Sequence, residues 1–207
     1  EARTIVAEIA SRLLGQAHLP KERQLSFGVV TFNAEQQRLI EDLLDEEVRR
    51  DPAIEQFFDV TLPEPVMVKN LESVQGDERD VMMFSITYGP DQSGRLSMNF
   101  GPLNRPGGER RLNVAITRAR HELLVFSSIG AGDIDLSRSA AIGVHDLKHF
   151  LDYAERGAKA LGERVAGSMG GHDSPFEAAV AEALSSRGWR LIPQVGVGGF
   201  RIDLGVV

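Results

Sequence analysis

Arg110-Arg111-Leu112-Asn113-Val114-Ala115-Ile116-Thr117-Arg118-Ala119-Arg120, followed closely by Leu123-Leu124-Val125-Phe126, is the stretch from which the fold is read. The pattern predicts a helix feeding a buried strand. Leu112, Ile116 and Ala119 fall at i, i+4 and i+7 and form a core-facing stripe. Arg111 and Arg118, seven residues apart, differ by only about 20° in azimuth and should point the same way. Two turns, roughly 10 Å, separate them. That is too far for both to clamp one phosphate, so they should have different tasks. Arg105, Arg110, Arg111, Arg118 and Arg120 place five guanidiniums within sixteen residues of a chain whose net charge is −7. Such a local reversal of sign fits a planar anion, phosphate above all, because the guanidinium fork matches its oxygens.

Upstream, strand and helix patterns alternate. Ile5, Val6, Ile9, Leu13 and Leu14 recur at helical spacing, with Gly15 and Pro20 as stop signals, which predicts a helix over 2–14. Phe27 to Phe32 read as a buried strand. Asn33 then caps a helix with Gln36 at the reciprocal capping-box position, and Leu39, Ile40, Leu43, Leu44 and Val48 make its apolar face. Its acidic run, Glu41-Asp42 and Asp45-Glu46-Glu47, is the wet side and carries no assigned chemistry. Val66 to Val68 and Val81 to Ile86 are further strands, the second uninterrupted by charge as expected when both faces are covered. Alternation of this kind implies a parallel, doubly wound α/β sheet. Gly89 to Gly108, rich in Gly, Pro, Asn and Ser, is a long insertion before the arginine helix.

The composition is that of an ordinary soluble globular protein, with 42% hydrophobic and 26% charged residues. No apolar run approaches the roughly 18 residues that span a bilayer, and Glu1 starts a helix rather than a signal segment, so the expected setting is cytoplasmic, away from membrane. The absence of cysteine excludes disulfides, a thiol nucleophile and the usual structural zinc sites. The acidic balance confines any nucleic-acid contact to a groove.

Three segments carry a family resemblance. The arginine stretch resembles motif VI of superfamily 1 helicases of the up-frameshift type. Val74-Gln75-Gly76-Asp77-Glu78-Arg79-Asp80-Val81 resembles their motif V, and Phe27-Gly28-Val29-Val30-Thr31-Phe32-Asn33-Ala34-Glu35-Gln36 resembles motif IV. The resemblance covers about residues 1–158 and implies the second RecA-like domain, a P-loop NTPase-type fold. Arg118 then matches the arginine finger that reaches the terminal phosphate of ATP bound between two RecA-like domains. Glu78 matches a carboxylate near that phosphate, and Gln75, Gly76 and Arg111 complete the nucleotide side. Thr31, Phe32 and Asn33 match residues on a nucleic-acid backbone, single-stranded and DNA rather than RNA. For Asn33 the helix-cap role stands beside this one. For motif V the plain alternative is a tight turn before a strand. Arg111 and Arg120 also fit a role bracing the helix or motif V.

No Gly-x-x-x-x-Gly-Lys-Ser/Thr occurs: none of the four lysines follows a glycine, and no apolar strand ends in paired acids for magnesium. ATP and Mg²⁺ are thus expected on an N-terminal RecA-like partner domain. His145 and His149 sit at i and i+4, but neighbouring Asp152 and Arg156 mark a solvated face, and no third ligand is evident. No complete metal site is assigned.

Residues 159–173, with four glycines and no apolar periodicity, read as a linker. From Ser174 the pattern changes to a helix and two strand-like runs around Gly196-Val197-Gly198-Gly199. This segment, 174–207, resembles the start of a PD-(D/E)XK nuclease domain of the very-short-patch-repair-like branch, with Glu177 as the helix acid and Asp203 as the first metal-binding carboxylate. Ser174-x-x-Glu177 is equally a capping box. The sequence ends inside the second run, which reads as an incomplete domain. The leading expectation is the C-terminal part of an ATP-dependent helicase or translocase linked to a nuclease module, inactive alone. The competing one is a non-catalytic nucleic-acid-binding or scaffold module on a degenerate RecA-like fold.

Overall fold

The computed structural model describes residues 1–160, 175–197 and 200–206, with side-chain surroundings for 1–160 and 179–191. Two compact units make up the chain, Glu1–Val144 and His145–Val207. The first runs α1 (Ala2–Gln16), β1 (Phe27–Thr31), α2 (Ala34–Arg50), β2 (Met67–Asn70), β3 (Arg79–Ser85), α3 (Gly108–Ile116) and β4 (Ala119–Phe126). Its four strands form one parallel sheet in the order β2-β1-β3-β4. This is the RecA-like α/β arrangement expected from the alternating pattern.

The two central strands are buried on both sides because β1 and the Val81–Phe84 run of β3 carry no charged residue. Phe27, Val29, Val81 and Met83 pack on one face with Ile5, Val6, Ile9 and Leu13 of α1 and Ile40 and Leu44 of α2. Val30, Met82 and Phe84 alternate onto the other face and are equally buried. Each such side chain contributes roughly 1.5–3 kcal/mol by leaving water. Leu39, expected on the inner face of α2, is 47% exposed, so that face narrows to Ile40 and Leu44 with Leu43 and Val48 at its margin. β4 is also less enclosed than expected: Arg120 and His121 are exposed and every residue from Glu122 to Phe126 is half-buried, as suits the strand at the end of the sheet order.

The insertion Gly89 to Gly108 is ordered. Met98, Phe100 and Leu103 are buried, Phe100 meets Tyr88 edge-on at 5.3 Å, and Asn104 ties Met98 to Phe100 through two backbone bonds.

α4 (Ile142–Arg156) runs from the first unit into the second, with Leu147 and Leu151 buried. α5 (Pro175–Ser185) is followed by β5 (Leu191–Val197) and β6 (Phe200–Val206), an antiparallel pair in which Val195 faces Ile202 and Pro193 faces Leu204. Most of the expected linker, 161–173, and the side chains of Glu177 and Asp203 lie outside the described residues. No described helix is long and apolar enough to cross a membrane.

Candidate nucleotide and strand sites

Motif V is the connection from β2 to β3, and topology gives it its shape. These parallel strands lie on opposite sides of β1, yet only residues 71–78 join them. So short a link must run straight back over the sheet, which it does by burying Leu71 and Val74. Gln75, Gly76 and Glu78 are left exposed at its outer turn. Gly76 has φ +89°, a left-handed conformation that L side chains resist.

The arginine segment departs from its expected form. α3 stops at Ile116, and Arg118 lies beyond the Thr117 C-cap rather than on the helix face it was to share with Arg111. Thr117 Oγ1 donates to the carbonyls of Asn113 and Val114, and Arg118 Nε donates to Val114 O, so the last turn is closed by its own side chains. Sheet pairing then takes over: Arg79 N donates to Arg118 O, and Ala119 is already in register with Arg79. The expected Ile116–Ala119 stripe is cut accordingly, and Leu112 and Ala115 form the buried side of α3.

This exit from the helix brings motifs V and VI together. Arg118 Nη1 lies 3.2 Å from Glu78 Oε1, with the two side chains 21% and 48% exposed. Arg111 is half-buried on α3, and its Nη1 is enclosed without a hydrogen-bond partner among the described residues.

Beside this pair lies a network around Arg120 whose partners, Asp80, Ser26 and Glu64, residue spacing did not reveal. In β4 two residues, Arg120 and His121, stand opposite the single Asp80, a β-bulge that re-aims both side chains. Arg120 donates to Asp80 Oδ1 at 2.9 Å, to Ser26 Oγ at 3.1 Å and to the Glu64 carboxylate. His121 Nε2 is 3.4 Å from the same Asp80 oxygen. Arg79, almost fully buried, grips the carbonyl of Pro65 with Nε and Nη2 and that of Glu78 with Nη1. Burial lowers the Arg79 pKa. Hydrogen bonds from Arg120 hold Glu64 below the usual carboxylate range. For Asp80 burial pushes upward, but the Ser26 N–H and Arg120 outweigh it and the net direction is downward. Arg79, Asp80 and Arg120 therefore anchor motif V to β4.

Glu78 and Arg118 sit at the amino ends of β3 and β4, whereas Thr31, Phe32 and Asn33 leave the carboxyl end of β1. Along a strand of seven residues the two ends are roughly 20 Å apart. At the carboxyl end, Thr31 is fully buried and donates through Oγ1 to Asn33 O. Phe32 is core, edge-on to Phe84 at 6.3 Å. Their side chains are thus not offered to a strand, a correction to the reading of motif IV as three contact residues. Asn33 reaches the surface, but its Oδ1 accepts from Gln36 N at 2.8 Å as the cap of α2. Gln36 donates to Ser85 Oγ instead of closing the capping box.

Residues 1–129 match the AAA domain family. The chain belongs to this family. It is also 37% identical over 169 residues to an uncharacterized ATP-dependent helicase of Mycoplasma genitalium, and 36% identical over 169 residues to that protein's homologue in Mycoplasma pneumoniae. Each match takes in 80% of this chain, which spans 14% of the length of the relative. Among the described residues no group of three His, Asp or Glu side chains is placed to hold a metal ion.

Proposed function

We propose that this AAA domain is the second RecA-like half of an up-frameshift-type superfamily 1 helicase or translocase, supplying the arginine finger and part of the groove for a single strand, DNA rather than RNA. The observation that carries this reading is the Glu78–Arg118 pair: a partly exposed guanidinium aimed from between α3 and β4 and paired with motif V. Its similarity to ATP-dependent helicases of two mycoplasmas supports the same assignment.

ATP, held mainly by the N-terminal RecA-like half, would supply the transferring phosphoryl group. Arg118 donates to the charge that develops on its oxygens, an electrostatic contribution of roughly 10³ to 10⁵ in rate for such a residue. Glu78 orients the guanidinium beforehand. A surface ion pair of this exposure is worth no more than about 1 kcal/mol, so Arg118 exchanges Glu78 for phosphate at little cost. Gly76 lets the motif V backbone approach closely, and Gln75 offers an exposed amide on the same turn. Arg111, half-buried on α3, is the remaining residue assigned to the nucleotide side. Mg²⁺ belongs to the partner half, and no step here runs through it. Residues 174 onward are the start of a nuclease-like domain, with Glu177 and Asp203 as its acids. A helix followed by an antiparallel hairpin supports that reading.

The test is strand-stimulated ATP hydrolysis by the full-length protein. Arg118→Ala should lower kcat at least about 100-fold while KM for ATP moves only a few-fold, because the contact strengthens as charge develops. Undiminished turnover would remove the finger assignment, and a large KM change at constant kcat would make Arg118 a ground-state binding residue.

A further inference from the structure

The sheet has a second polar centre, built from residues outside the three motifs. In the order β2-β1-β3-β4, β1 connects outward to β2 and β3 connects the other way to β4, so the switch point lies between the carboxyl ends of β1 and β3. Open parallel sheets receive ligands in that crevice. Here four donors converge there on the carboxylate of Glu1. Ser85 Oγ donates to Oε2 at 2.6 Å and Thr87 N at 2.8 Å. Ser128 N and Ser128 Oγ both donate to Oε1 at 2.9 Å. Glu1 occupies the N-cap position of α1 yet makes no side-chain bond to its own helix. Its acceptors are spent across the chain.

The residue it holds most directly is strained. Thr87 has φ +74°, the one non-glycine residue with positive φ among the described residues. A β-branched side chain disfavours that conformation, which persists only where its surroundings over-determine it. Besides the bond from Thr87 N to Glu1, Thr87 Oγ1 donates to Ser85 O and accepts from Phe32 N. Phe32 N belongs to the exit of β1, the segment that leads to Asn33. One carboxylate thus fastens the start of α1, the turn after β3 and the turn after β4, and through Thr87 it reaches the turn after β1.

We infer that Glu1 is a positioning residue of the strand groove: it pre-forms the three strand-end turns against which the nucleic-acid backbone lies. The inference rests on the helicase reading above. It does not involve Arg118, which lies at the other end of the sheet.

The test uses the full-length protein and single-stranded DNA in the ATPase assay, comparing wild type with Glu1→Gln and Ser128→Ala. Glu1→Gln keeps the shape but replaces one acceptor oxygen by an NH₂ facing donors. It should raise the DNA concentration for half-maximal stimulation roughly tenfold, the loss of one charge-assisted contact. KM for ATP and kcat at saturating DNA should stay within about twofold. Ser128→Ala, which removes one hydroxyl donor from an exposed turn, should shift the same parameter less, and the double variant should fall short of the sum because both act through one site. An unchanged half-saturation in Glu1→Gln overturns the inference. So does a parallel loss of kcat, ATP affinity and melting temperature, which would make Glu1 a general fold residue. A wild-type enzyme that single-stranded DNA does not stimulate overturns the helicase reading together with this one.

Discussion

At Asp80 a carboxylate expected only as part of a phosphate-side motif is instead the hub of a structural network. It accepts from Ser26 N, Ser26 Oγ and Arg120 Nε, and Arg120 in turn holds Glu64. Both acids have folded pKa values below their ordinary ones. A depressed folded pKa gives stability that is fully present above the unfolded value, about 4, and is lost as pH falls through it toward the folded value. The melting temperature of this chain should therefore drop between about pH 5 and pH 3. Asp80→Asn should lose about 1–2 kcal/mol at pH 7, discounted for the partial exposure of Arg120, and its acid decline should be shallower. Parallel pH profiles for the two proteins would show that Asp80 contributes nothing through its charge.

At the scale of elements, the join between the insertion and α3 tolerates no side chain. A Cβ on Gly108 would lie 2.7 Å from Leu103 Cα, Leu103 O and Pro102 O, all backbone atoms that cannot move aside. On Gly28, inside β1, it would meet Met82 Sδ at 2.7 Å and Met67 Cε at 2.9 Å, both flexible ends. Overpacking costs about 1–3 kcal/mol where neighbours yield and more where they do not. In urea unfolding Gly108→Ala should therefore cost about 3 kcal/mol or more and Gly28→Ala about 1–2 kcal/mol. The reverse ranking would mean that the turn Gly101–Asn104 does not clamp the start of α3. The clamp matters for function because α3 carries Arg111 and ends where Arg118 begins.

For the whole molecule, charge sets the terms of any encounter with nucleic acid. The net charge is −7, and Arg79, Arg118 and Arg120 are engaged with carbonyls or carboxylates. Arg105 and Arg110 are the outermost cations of the arginine segment, 71% and 88% exposed, each with an acid no nearer than 3.8 Å. Few phosphates can be neutralised at once. Single-strand binding by this chain should be weak and sequence-tolerant, and should fall with salt at a log–log slope of roughly −2, about three phosphates at 0.7 each. Fluorescence anisotropy over a salt series measures it. Salt-independent binding, or none at low ionic strength, would favour a scaffold module over a strand-tracking domain.

Local pattern alone determined much of this protein. Period-3.6 apolar spacing located α1 and α2, and unbroken apolar runs located β1 and β3, each to within a few residues, and Asn33 was legible as a cap because capping is a contact between near neighbours. The motifs singled out Glu78 and Arg118, but their 3.2 Å approach depends on the register that sets Arg79 beside Ala119. Helix periodicity carried α3 past Arg118. Pairing with β3 cut it short, since tertiary hydrogen bonds outweigh a weak propensity to continue. Burial of Thr31 and Phe32 follows from strand order, and the bulge at Arg120 from a mismatch between two strands. Glu1 and Ser128 are joined across 127 positions of sequence. Spacing encodes which face of an element is apolar, but not which element it will meet. Contacts made at the ends of the strands were therefore decided by the tertiary structure.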